Sequence, residues 1–189
     1  MPIGINGSGT ITGVSVGGLP DGIVDTDMLA SKAVTFPKRG ANAPLQIVQN
    51  NTTVRLATSS SSFVASSHLV TITPLVASSK IRIQHTGEAN SQSSGNHVYI
   101  TVFRSIAGGT YTEIAPHGSV TNQGMSVIRS ADARLQVPFV INFLDAPSYT
   151  LGDSITYKLY IRCPEGNLIE IPSSNDSNAI VNIAEEIAT

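Results

Sequence analysis

Tryptophan is absent from this chain of 189 residues, cysteine occurs once, and aromatic residues make up only 5%. A single thiol, Cys163, excludes an intrachain disulfide framework and the four-thiolate zinc sites. Charged residues are also few, at 13%, and the formal net charge is −2. That leaves no electrostatic footprint for nucleic acid or an anionic membrane. No run approaches the roughly 18 apolar residues that a membrane span needs. The segment Met1-Pro2-Ile3-Gly4-Ile5-Asn6-Gly7-Ser8 lacks the basic leader and continuous apolar core of a secretory signal. The expectation is therefore synthesis in a cytoplasm and a soluble product. In that setting the sequons at Asn6, Asn50, Asn51 and Asn175 are incidental, and Cys163 reads as a small buried hydrophobe.

What the chain has in quantity is Ser, Thr and Asn, punctuated by 16 Gly and 10 Pro. Such a composition suits short strands and turns better than a helical bundle. The length corresponds to one ordinary domain with some chain to spare, enough to bury roughly 70% of its unfolded surface. Residues 1–40 differ from the rest. They are Gly-rich, with small β-branched residues between the glycines, as in Thr10-Ile11-Thr12-Gly13-Val14-Ser15-Val16. A segment with so little apolar bulk orders only against another surface, and it reads as an extended arm. Within it, residues 25–34 suggest a short helix, capped by Asp25 or Thr26 and ended by Phe36-Pro37.

From Leu45 onward, alternation of apolar and polar residues dominates. Candidate strands are residues 45–49, 53–57, 69–73, 80–85, 97–104, 111–114, 135–145, 155–162, 168–171 and 179–187. Ser59 to Ser62 form a loop, and Gly108-Gly109 can turn a hairpin. Pro138 places the 135–145 segment at an edge, a bend or a bulge. Ile155, Tyr157, Leu159 and Ile161 share one face. Strands of this number and spacing predict an all-β fold, a two-sheet antiparallel sandwich of jelly-roll-like kind over residues 41–189.

Motifs for catalysis are missing or incomplete. Gly7-Ser8-Gly9 is too short for a nucleophile elbow, Ala30-Ser31-Lys32 lacks phosphate-loop glycines, and no H-E-x-x-H occurs. His68, His85, His97 and His117 are all more than five residues apart. His85 and His97 form the best pair across one loop, and both read as exposed loop-edge residues. A metal on a trimer axis would need only one histidine per chain. Asp21, Asp25 and Asp27 resemble a calcium loop but lack its closing glutamate, so turn and cap duty explains them better. Asp145 and Asp153 flank Pro147 in an expected loop and are candidates, with Tyr149, for an exposed ligand site. A paired-acid glycosidase there would lack the usual aromatics. Tyr99, Phe103, Tyr111, Tyr149, Tyr157 and Tyr160 fall on both strand faces, so some are expected in the core and others at the surface or an interface.

The arm resembles segments of bacteriophage tail-fibre and related virion proteins. The resemblance lies in Gly9-Thr10-Ile11-Thr12-Gly13 and Gly18-Leu19-Pro20-Asp21-Gly22-Ile23-Val24-Asp25-Thr26-Asp27-Met28-Leu29-Ala30, then Phe36-Pro37 and Leu45-Gln46-Ile47-Val48-Gln49. The remainder is similar to sandwich modules of aquatic phage structural proteins, through Val70-Thr71-Ile72-Thr73-Pro74, Ser78-Ser79-Lys80-Ile81, Phe143-Leu144-Asp145-Ala146-Pro147, Ser174-Asn175-Asp176-Ser177 and Ile183-Ala184-Glu185-Glu186-Ile187. The resemblance implies a non-enzymatic homotrimer located in the virion, without cofactor or metal. Its arm would attach to other virion proteins, tail or capsid, through Ile11, Val14, Val16, Leu19, Ile23, Met28 and Leu29. Its sandwich would face outward, toward a host surface glycan. Fibres usually carry shaft repeats, and here arm passes almost directly into sandwich, which suits a short tail fibre or a trimeric capsid decoration protein. A carbohydrate-active depolymerase is the enzymatic alternative.

Overall fold

The computed structural model describes residues 40–114, 124–131, 134–172 and 178–189, and before them only two short strands. The chain divides into two units, Met1–Arg39 and Gly40–Thr189. In the first, β1 (Gly4–Ile5) pairs antiparallel with β2 (Ile11–Thr12). The helix expected over residues 25–34 lies outside the described residues.

The second unit is all-β, a sandwich of two antiparallel sheets. One sheet contains β3 (Pro44–Thr52), β4 (Leu56–Thr58), β6 (Lys80–Ser91), β10 (Leu135–Asp145), β12 (Ile169–Ile171) and β13 (Ile180–Ile187). The long β6 lies at its centre. It pairs along its whole length with β10 on one side, and on the other with β13 and then β12, which carry β3 and β4. The second sheet contains β5 (Val64–Ile72), β7 (His97–Ile106), β8 (Thr112–Glu113), β9 (Ser126–Arg129) and β11 (Ile155–Arg162). Its order is β5, β11, β7, with β8 and β9 both on the far edge of β7. Successive strands β5, β6 and β7 alternate between sheets, as do β10 and β11, which gives the jelly-roll-like character.

Alternation produces this arrangement directly. On β11, Ile155, Tyr157, Leu159 and Ile161 are fully buried while their neighbours are half-buried. Val98, Ile100 and Val102 on the neighbouring β7 share that inner face, and Ile81 and Ile83 on β6 of the other sheet join the same core. Each such aliphatic side chain contributes on the order of 1.5–3 kcal/mol by leaving water. Pro138 is accommodated because β10 bonds to β6 on one side only among the described strands, and its register from Leu135 to Asp145 is unbroken. Cys163 is buried, as expected.

Three features differ from the sequence reading. Strand β9 was not anticipated, because Ser126-Val127-Ile128-Arg129 is short and pairs only with the start of β7. His85 is fully buried in β6 instead of lying at a loop edge. Asp145 is not a solvated loop residue but the buried end of β10.

Buried polar groups tie the two sheets and their loops together. The Arg104 guanidinium on β7 donates two hydrogen bonds to Asp145, at 2.8 and 2.7 Å, and the Tyr157 hydroxyl donates a third at 2.8 Å. Burial, followed by the charge of Asp145, pushes the Tyr157 hydroxyl pKa far up, so it stays a donor. The Glu186 carboxylate accepts from the backbone N–H groups of Leu75 and Val76, from the Ser79 hydroxyl and from the Gln46 amide. It thereby pins the β5–β6 loop. At the other end, Glu170 pairs with Arg55 and accepts from Asn90 and Gln92.

Candidate functional site

Because the inward positions of β7 and β11 are filled with aliphatics, the opposite phase of each strand points away from the core. On β7 that phase carries His97, Tyr99, Thr101 and Phe103, and on β11 it carries Lys158, Tyr160 and Arg162. Strand register sets Tyr99 opposite Arg162 and Phe103 opposite Lys158. Tyr160 then lies diagonal to Phe103, and the two rings stack with centroids 4.0 Å apart. Phe63, just before β5, meets Phe103 edge to face at 6.0 Å, and Tyr111 leans on Tyr160 at 6.2 Å.

Cations hold the rings in place. The Arg162 guanidinium lies 4.7 Å from the Tyr99 ring centroid and 5.1 Å from that of Phe63, and it donates to the Ser61 carbonyl. The Lys158 ammonium sits 4.6 Å from the Tyr111 ring. Such contacts contribute about 0.5–2 kcal/mol each, depending on how far they are desolvated. Every ring of the group is half-buried, and a recess of about 180 Å³ lined by Ser61, Ser62, Phe63 and Arg162 opens beside it. Burial raises the Tyr160 hydroxyl pKa, with Tyr111 adding to the effect, so the platform's phenol stays neutral. The result is a stiff surface of ring faces and hydroxyls, suited to stacking and hydrogen bonding with a partner.

At the edge of this face, His97 Nδ1 lies 2.6 Å from Glu165 Oε1, and the His97 backbone N–H donates to Oε2. Desolvation alone would raise the Glu165 pKa, but these bonds overcome it and pull the carboxyl down to about 2. The Cys163 thiol donates to the same Oε2 at 3.4 Å, and burial is the main cause of its raised pKa. Cysteine catalysis needs a thiolate beside a base. Here a carboxylate stands between thiol and imidazole, and the trio fastens the turn after β11 to the start of β7.

The ligand loop read from the sequence lies elsewhere. Asp145 is committed to Arg104 and Tyr157. Asp153 accepts from the Thr150 N–H and closes a turn. Tyr149 donates to the Val76 carbonyl and accepts from the Ser79 N–H, while lining a shallow cavity of about 310 Å³ with Lys80 and Pro147. The three residues therefore do not form a single cluster of free groups. Of the attachment residues, Ile11 falls in β2, and Val14, Val16, Leu19, Ile23, Met28 and Leu29 lie outside the described residues. So do Asp21, Asp25, Asp27 and His117. Phe63 and the two stacking cations were missed, although the period-2 pattern Tyr99, Thr101, Phe103 and Lys158, Tyr160, Arg162 announces the face.

Among the described residues no three His, Cys, Asp or Glu side chains gather as a metal site. In comparisons with known proteins, no family model and no curated protein matches the chain.

Proposed function

We propose that the chain is a non-enzymatic structural protein of a bacteriophage particle, a homotrimeric short tail fibre. It attaches through residues 1–40 and presents residues 41–189 to the host surface. The observation that carries this reading is the aromatic platform. The sequence has five Phe, five Tyr and no Trp. Five of those ten rings, Phe63, Tyr99, Phe103, Tyr111 and Tyr160, stand together on one outward sheet face. A chain poor in aromatics gains nothing for its core from this placement, whereas ring faces flanked by hydroxyls stack well on the C–H faces of sugars. The arm motifs supply the virion context, and the reading needs no cofactor.

Adsorption of the purified full-length protein to cells of the phage's host tests the platform. The double variant Phe103→Ala/Tyr160→Ala should bind at least tenfold less protein per cell while keeping its oligomeric state. Undiminished adsorption by a folded variant contradicts the platform's role.

A further inference from the structure

The aromatic platform is long, shallow and unbalanced in charge. Tyr99 and Phe103 stand four residues apart on β7, and Arg162 and Lys158 mark the same interval on β11. At about 3.4 Å per residue, the platform runs for about 14 Å, longer than a single sugar ring. It has little depth. The recess of about 180 Å³ beside Phe63 and Arg162 falls short of the roughly 300 Å³ at which enclosing ligand pockets begin. A surface of this shape meets a stretch of chain by stacking, whereas a terminal unit is held by enclosure.

Elsewhere in the sandwich, Arg55, Arg82 and Arg104 each meet a carboxylate. On this face no described carboxylate pairs with Lys158, whose ammonium lies over the Tyr111 ring instead. Register sets Arg129 of β9 opposite His97, where it is exposed on the same face. The two carboxylates here are turned to other donors, Glu165 to His97 and Glu113 to the Thr101 hydroxyl at 2.7 Å. Three cations, Lys158, Arg162 and Arg129, thus stand with two engaged carboxylates in a chain whose net charge is −2.

We propose that the platform takes an internal run of an acidic polysaccharide, with sugar faces on the rings and anionic groups at Lys158 and at the Arg162 recess. The proposal rests on the host-glycan reading above and names the class of glycan. An ammonium carries three donors, so the ring contact of Lys158 leaves N–H groups to meet an anion. At the other end, the recess gathers Ser61 and Ser62 with Arg162 and the Phe63 ring. Donors beside an apolar face are what an anionic substituent of a stacked sugar requires. The positive face also draws such a chain in, an attraction that salt screens.

Glycan fragments released from the surface of host cells, sorted by charge and by length, test this in calorimetric titrations of the full-length protein. Acidic fragments should bind at least tenfold more tightly than neutral ones of equal length, and more tightly as they grow from one sugar to four. Raising the salt to about 0.5 M should remove most of that preference. Lys158→Gln should weaken binding of the acidic fragments at least threefold. The preference is read on the wild type, so it decides whether or not the variant folds. Neutral fragments bound as tightly as acidic ones, or single acidic sugars bound as tightly as long fragments, overturn the proposal and leave the host-glycan reading standing. Failure to bind fragments of either kind overturns that reading as well.

Discussion

Two imidazoles sit inside the sandwich, one from each sheet. His85 is fully buried on β6, and its Nδ1 lies 2.8 Å from Asn182 Oδ1. The Asn182 amide donates to the carbonyls of Asn50 and Ile180, so its oxygen must accept, and His85 carries its proton on Nδ1. His68 on β5 is equally buried, with Nε2 3.4 Å from the Ile171 carbonyl. Burial lowers both pKa values, that of His85 from 6.5 to about 4, and the neighbouring His68 adds to the shift. A neutral histidine in the fold and a protonatable one in the unfolded chain give a definite sign. The stability is whole above pH 6.5 and drains away as the pH falls toward 4. At about 1.4 kcal/mol per unit, His85 alone accounts for roughly 3 kcal/mol of acid lability. Urea unfolding at pH 7 and pH 4.5 should show this loss, and His85→Gln should show a visibly smaller one. An equal loss in both proteins contradicts the assignment. None of this was legible in the sequence, where Lys80-Ile81-Arg82-Ile83-Gln84-His85 puts His85 on the isoleucine face yet next to an expected loop. β6 continues to Ser91, and that extra length is what buries it.

At the scale of elements, the strands were largely legible because their period is two and their core is aliphatic. Ile155, Tyr157, Leu159 and Ile161 fall on one face in sequence and in structure alike. The outward face of the same strand was legible too, but its meaning came from register, which places Arg162 beside Tyr99 and Lys158 beside Phe103. Loop engagement was not legible. Nothing in the local pattern around Tyr149 or Asp145 reveals the distant Val76 carbonyl or the Arg104 guanidinium that claims them. Strand β9 was missed for a similar reason, since it depends on how the chain arrives. Gly124 sets that arrival. Its φ is +74°, a side chain there would stand 2.7 Å from the Ile100 carbonyl oxygen, and the next N–H, of Met125, donates to that oxygen. Gly124→Ala should therefore cost about 1–3 kcal/mol and loosen β9 from β7. Amide exchange of the Ser126–Arg129 segment is the measurement, and unchanged protection with unchanged stability would refute this account of the glycine.

For the whole molecule, the two outer faces of the sandwich differ in what they carry. One carries the exposed Ile47, Val140 and Leu144 among polar residues, with Arg82 and Glu185 paired to each other. The other carries stacked rings braced by Arg162 and Lys158. The central claim is that the chain is displayed on a virion, and antibody labelling of intact particles tests it most directly. With an antibody raised against residues 41–189, gold should collect at the tail. Gold spread over the head would instead make the protein a capsid decoration, with residues 1–40 as its clamp. Particles that stay unlabelled, intact or gently opened, would contradict the account.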